Sequence, residues 1–331
     1  GHAGLSGGMM PVAPLASVNL NYLRIPAQTE APICGDLVLV HGLAASLGFW
    51  HLGIVRALSG LCRLVAYDLR GHGRSAMAPT GYSIPEMADD LAALLDHLGL
   101  ERVHLLGHSF GGAIALRFAS RHPERVHSLI LADVRLRALQ PYHRLRDWID
   151  WPLWRPILQR AGIELNDMEP EGGYALLTAM ARAQSHTTNT LSMPLFQTPT
   201  GSVRRNGAAQ RWLQLQETTS IRRDLRVSDG LTPAVLRAIR LPVLGLYGER
   251  SPVMPTARAL HRLCPHYELH RVRHAGHFFP LTRPRRLVNI ALRFLATQSG
   301  VATHSEHLFG SIDHEHEPEH EHEPASLLAA F

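Results

Sequence analysis

Residues 105–112 read Leu105-Leu106-Gly107-His108-Ser109-Phe110-Gly111-Gly112, a serine with a glycine two positions away on each side. A serine hydroxyl is a poor nucleophile at neutral pH. It attacks a carbonyl carbon only when a base takes its proton and donors stabilise the oxyanion that forms. The Gly-x-Ser-x-Gly spacing meets the steric part of that need when a strand enters it and a helix leaves it. Small residues at Gly107 and Gly111 let the chain turn sharply, which holds Ser109 strained with its hydroxyl exposed. The helix that follows aims its amino end at the developing negative charge, and the Phe110 N–H is one donor. Five matching residues alone are common by chance. The apolar run at 102–106 and the helical run at 111–120 supply the context that the chemistry requires.

Positioning such a serine takes a sheet, and the chain alternates strand and helix patterns along most of its length. Short apolar runs at 36–40, 63–67, 102–106, 128–132, 241–247 and 267–272 read as buried strands. Residues 85–98 open with Pro85 and space Met87, Leu91, Leu94, Leu95 and Leu98 at helical intervals before Gly99. The alternation predicts an α/β fold with a mostly parallel central sheet and helices on both faces. Between Asp133 and about Leu241 the strand pattern stops, and Trp148, Trp151, Trp154 and Trp212 appear among Arg, Gln, Pro and Thr. A structureless loop of that length is improbable, so the insert reads as a helical cap. The expected organisation is an N-terminal extension at 1–17, a core at 18–133 and 241–300, a cap at 134–240, and a disordered His/Glu-rich tail at 301–331.

Composition narrows the classes. The chain has 331 residues, 45% of them hydrophobic, enough for one large domain with an insertion. No apolar run approaches the ~20 residues of a membrane span, and the small, apolar start lacks the basic leader of a secretory signal. Cys34, Cys62 and Cys264 form neither a disulfide framework nor a zinc pattern; they read as buried small side chains and point to the cytoplasm. All 33 basic residues are arginine, and the last 29 residues hold seven acids and no base, which leaves the body at a formal +12. The arginines are dispersed and no nucleic-acid motif accompanies them, so a nucleic-acid partner is not expected. No dinucleotide motif or metal-ligand set is visible, and no cofactor is implied.

The chain resembles the α/β-hydrolase superfamily over nearly all of residues 18–295. The resemblance rests on the serine motif, on His41-Gly42 after an early strand, on the stretch from Asp68 to Ser75, and on His274-Ala275-Gly276-His277-Phe278-Phe279-Pro280. It implies that His277 is the general base, that the residue after His41-Gly42, Leu43, gives the second oxyanion donor beside Phe110, and that Asp68 and His72 are structural. The position after the last strand, beside Gly276, independently favours His277 among the 22 histidines. His108 reads as packing under the elbow and His274 as a loop residue. The acid departs from the family pattern of Gly, two residues, then Asp, because Gly248-Glu249-Arg250-Ser251 puts a serine at that place. Asp133, at the end of the strand next to the nucleophile strand, is the first candidate acid. Glu249 is the second, and a site without an acid is the third possibility.

These readings converge on a serine hydrolase acting on an ester, thioester or lactone through an acyl-enzyme on Ser109. The tryptophans suggest a small apolar or aromatic acyl substrate under the cap. Arginines such as Arg144, Arg146, Arg204 and Arg205 leave open a carrier- or CoA-linked one. Within the fold, carbon–carbon bond hydrolysis is an alternative. In another class, Ser251 at the acid position allows a hydrolase-like small-molecule binding protein or receptor with little turnover. A metal-handling role for the tail would leave the other 300 residues unexplained.

Overall fold

The computed structural model describes residues 11–186 and 207–301; the expected His/Glu-rich tail and the arginines Arg204 and Arg205 lie outside the described residues. Eight strands form one sheet: β1 (Val12–Pro14), β2 (Asn19–Ile25), β3 (Asp36–Val40), β4 (Arg63–Tyr67), β5 (Val103–His108), β6 (Val126–Ala132), β7 (Val243–Gly248) and β8 (Tyr267–Val272). Their spatial order is β1-β2-β4-β3-β5-β6-β7-β8. The β1–β2 and β2–β4 pairs are antiparallel and all later pairs are parallel. The parallel strands therefore end along one common edge of the sheet.

Side-chain alternation divides the core into two layers. Leu37, Leu39, Leu64, Ala66, Leu106 and Ile130 face α1 (Leu52–Ser59) and the long helix Pro284–Gln298. Val38, Val40, Val65, Tyr67, Leu105 and Leu131 face α2 (Ile84–His97), α3 (Phe110–Arg121) and α9 (Met254–Leu263). Helix α2 begins where its sequence says it should. The Ser83 side chain accepts the Glu86 N–H and the Glu86 carboxylate returns to the Ser83 N–H, which closes a capping box on two otherwise free donors.

The stretch between β6 and β7 carries α4 (Trp151–Arg160), α5 (Gly172–His186), α6 (Gly207–Thr218), α7 (Ile221–Asp224) and α8 (Pro233–Arg237), with no strand among its described residues. Trp148, Trp151, Trp154 and Trp212 are all buried. Two boundaries differ from expectation. Strand β1 lies inside the segment read as an N-terminal extension and pairs with β2. At the other end, Leu231, Leu236 and Ile239 pack into the layer under α3 and α9, so the last turn of the insert belongs to the core.

Candidate active site

Four non-glycine residues among those described have a positive φ: Ala44 (60°), Ser109 (52°), Asp133 (49°) and His274 (54°). Each lies just beyond the end of a strand, respectively β3, β5, β6 and β8. The backbone strain is thus concentrated along the one edge where the strands end. Such conformations cost about 1–3 kcal/mol each and persist where surrounding structure over-determines them.

Ser109 shows how the surroundings do this. Its N–H donates to Ala132 O at 2.9 Å, extending the β5–β6 pairing by one residue before α3 starts at Phe110. A Cβ on Gly107 would meet Gly112 Cα at 2.5 Å, and one on Gly111 would meet the carbonyl oxygens of Val40 and His41 at 2.3 Å. Neither glycine has room for a side chain. The close approach of α3 to β3 and β5 forces the turn, and the turn lifts the Ser109 hydroxyl to the cavity above the sheet edge.

His277 arrives from the loop after β8. Its Nε2 lies 3.1 Å from Ser109 Oγ. His108 Nε2 donates to the His277 carbonyl at 2.9 Å while the His108 ring stacks on Phe49 at 4.6 Å, so His108 ties the histidine loop to the elbow. Burial lowers the His277 pKa to about 3, which leaves the imidazole neutral and able to accept a proton.

Asp133 lies behind the imidazole. Its Oδ1 stands 3.9 Å from His277 Nδ1, and these two buried atoms have no hydrogen-bond partner among the described residues. Its Oδ2 accepts the Gly248 N–H at 3.0 Å. Burial pushes the Asp133 carboxyl well up, and hydrogen bonds from Ser251 and Gly248 pull the other way. Glu249 is placed elsewhere. It is exposed, and its Oε2 accepts the His274 N–H at 3.0 Å, a bond that holds its pKa below the usual value and braces the surface turn leading to His277.

Leu43 and Phe110 line the cavity beside Ser109. Among the described residues, their N–H groups make no hydrogen bond. Deeper, His41 accepts the Leu69 N–H on Nε2 at 3.0 Å and donates from Nδ1 to Gly42 O at 2.7 Å, which fixes the loop that carries Leu43. Asp68 accepts the N–H groups of Leu47 (2.7 Å) and Arg74 (2.9 Å). His72 is buried and donates to Arg70 O. Both sit away from Ser109 and hold loops.

The cavity measures about 880 Å³ and runs from Ser109 up into the insert, past Phe49, Trp148, Leu177 and Phe278. Its charged lining mixes arginines with Glu164, Glu169, Glu171 and Asp229, and the arginines differ from those expected. Arg144 and Arg146 are not among its walls, whereas Arg135, Arg137, Arg222 and Arg226 are. Arg135 and Arg137 pair with Glu171 at 2.6 and 3.2 Å. Residues 222 and 226 are one helical turn apart and precede no recognisable motif, so no signal in the sequence marked them. Among the described residues, no cluster of three or more His, Cys, Asp or Glu could hold a metal ion, and no helix is long and apolar enough to cross a membrane.

A strained serine at a strand–helix turn, a neutral histidine on its hydroxyl and a cavity above both define an enzyme of the hydrolase type. A family profile for the alpha/beta hydrolase fold matches residues 37–284, and the chain belongs to that family. It is 29% identical over 291 residues to the protein named carbamate hydrolase RutD of Yersinia enterocolitica, covering 85% of this chain and 94% of the relative. It is 43% identical over 118 residues to the pimeloyl-[acyl-carrier protein] methyl ester esterase of Aeromonas hydrophila, covering 35% and 42% of the two chains. The crystal structure of the enol-lactonase from Burkholderia xenovorans LB400 superposes with a TM-score of 0.58 at 22% identity, covering 86% of this chain and 99% of that one. At that identity the likeness speaks for the fold.

Proposed function

We propose that the chain is a serine hydrolase that transfers the acyl group of an ester, thioester or lactone to water through an acyl-enzyme on Ser109. The observation that carries the reading is the 3.1 Å contact between Ser109 Oγ and His277 Nε2 at the floor of the cavity. His277 takes the hydroxyl proton as Oγ attacks the carbonyl carbon. The oxyanion is met by the N–H groups of Leu43 and Phe110, with the amino end of α3 behind them. His277 then returns the proton to the leaving oxygen or sulfur. A water enters, loses a proton to His277, and releases the acid. Asp133 orients the imidazole and stabilises its charged form, a role supported by the facing pair of buried atoms that have no other partner among the described residues.

The substrate we infer is a small molecule with an apolar or aromatic acyl group, which suits the cavity's volume and its Phe and Trp lining. Arg222 and Arg226 line the same cavity and pair with no acid among the described residues. That suits the phosphate of a carrier- or CoA-linked acyl group. The methyl ester esterase named above acts on an acyl-carrier substrate. A reducing compartment such as the cytoplasm suits three buried free thiols.

The 3.9 Å gap between Asp133 and His277 favours a second reading, a binding protein that keeps the pocket and has little turnover. The experiment is a screen of the purified chain against p-nitrophenyl esters of graded length, acyl thioesters and lactones. Hydrolysis of at least one class is expected. No hydrolysis, together with saturable binding of an ester, supports the receptor instead.

A further inference from the structure

Gly248 to Ser251 form a tight turn directly after β7, closed by the Ser251 N–H on Gly248 O at 3.0 Å. Strand β7 neighbours β6, and the Asp133 N–H donates to Leu246 O at 3.0 Å, so the turn lies against the Asp133 side chain. Both side chains are secluded: Asp133 is 0% exposed and Ser251 5%. The Val253 N–H donates to Ser251 Oγ at 3.3 Å. That occupies the oxygen as an acceptor and leaves the hydroxyl proton for another partner. The Asp133 carboxylate is the group it faces across the turn: Ser251 acts to lower the Asp133 pKa, beside the Gly248 N–H that donates to Oδ2 at 3.0 Å.

We propose that Ser251 is a positioning residue whose hydroxyl, with the Gly248 N–H, anchors the Asp133 carboxylate so that Oδ1 is left facing His277. The inference rests on the reading of Ser109, His277 and Asp133 given above. It accounts for the serine at the place where the family pattern has its acid. With the carboxylate coming from β6, a second one at 251 would share the same buried space, and one of the two would be forced to hold a proton. A serine there supplies a donor instead. A serine that merely closes the turn would use its oxygen on Val253 N–H and have no bearing on the state of Asp133.

The test compares wild type with Ser251→Ala, Ser251→Cys and Ser251→Thr, each confirmed folded by circular dichroism. Ser251→Cys keeps the volume with a weak donor and stands in if the alanine variant does not fold. On a p-nitrophenyl ester, loss of the donor is expected to lower kcat about 10- to 100-fold with KM little changed. The acid limb of the pH profile should move to higher pH, because Asp133 then holds its proton longer. Ser251→Thr should restore both. The Asp133 carboxyl carbon in NMR spectra reads the same anchor without substrate: its titration is expected to move to higher pH in Ser251→Ala and Ser251→Cys and to keep the wild-type position in Ser251→Thr. Unchanged kcat, pH profile and Asp133 titration in Ser251→Ala and Ser251→Cys overturn the inference. A wild-type protein that neither hydrolyses an ester nor labels with a fluorophosphonate overturns the functional reading, and the Asp133 titration still decides the role of Ser251.

Discussion

Acidification should unfold this protein through histidines that the fold keeps neutral. Burial lowers the pKa of His41 and His104 to about 4, and of His72 and His277 to about 3. Their polar contacts are built for the neutral ring: His41 uses one nitrogen as acceptor for Leu69 N–H, and His104 Nδ1 lies 2.6 Å from Ser128 Oγ. In the unfolded chain each titrates near the ordinary ~6.5. A depressed folded value means the unfolded state binds more protons below that pH, so stability falls as pH falls. Between pH 8 and pH 5 each of the four loses about 2 kcal/mol, or about 8 kcal/mol together, as large as the whole stability of many domains. Asp90 and Asp133 work in the opposite sense, because burial raises both carboxyls and the folded state then binds the extra protons. His108 and His143, which burial also lowers well below the usual value, add to the histidine loss, so the net change is set by these opposing contributions. Urea unfolding followed by tryptophan fluorescence at pH 8, 6.5 and 5 reads the net change, and imidazole Cε1–H shifts show whether the four rings titrate before unfolding. A folding free energy at pH 5 equal to that at pH 8, or four rings that titrate near 6.5 in the folded protein, would refute the reasoning.

Asp133→Asn should cost ~10⁴ in kcat by favouring the wrong imidazole tautomer, as loss of a triad aspartate does in other enzymes, whereas Glu249→Gln should stay within a few-fold; matched kinetics on one ester decide between them. Introducing Ser251→Asp into the Asp133→Asn background should recover part of the rate by returning a carboxylate to β7, and no recovery would mean that position cannot reach His277. Gly111→Ala drives a methyl into the carbonyl oxygens of Val40 and His41 and should destabilise the fold by about 3 kcal/mol, read by urea unfolding, while abolishing probe labelling. Since burial lowers His277, kcat/KM measured in brief assays should hold as pH falls through ~6.5, and a midpoint at or above that value would contradict a desolvated base.

The elbow was legible because everything that makes it is local. Strand, Gly107, Ser109, Gly111 and helix follow one another, and the steric need for small residues is written in the same eight positions. The inner strands were legible for a similar reason, since β3 to β7 are apolar runs buried on both faces. Strand β2, with exposed and half-buried positions mixed along it, and the three-residue β1 carry no such run. The candidate acid was harder because its place depends on which strands are neighbours. Asp133 comes within 3.9 Å of His277 only because β6 lies between β5 and β7, a tertiary fact that local pattern cannot state. Arg222 and Arg226 went unmarked for the same reason: only folding of the insert brings α7 over the cavity.

The central claim is that Ser109, activated by His277, is the nucleophile. It is tested most directly by reacting the purified chain with a fluorophosphonate and locating the adduct by peptide mass spectrometry, alongside Ser109→Ala and His277→Ala. One adduct, on Ser109, is expected in the wild type, none in either variant, and loss of ester hydrolysis in step with loss of labelling. An adduct on another residue, or ester hydrolysis that persists in folded Ser109→Ala, would contradict it.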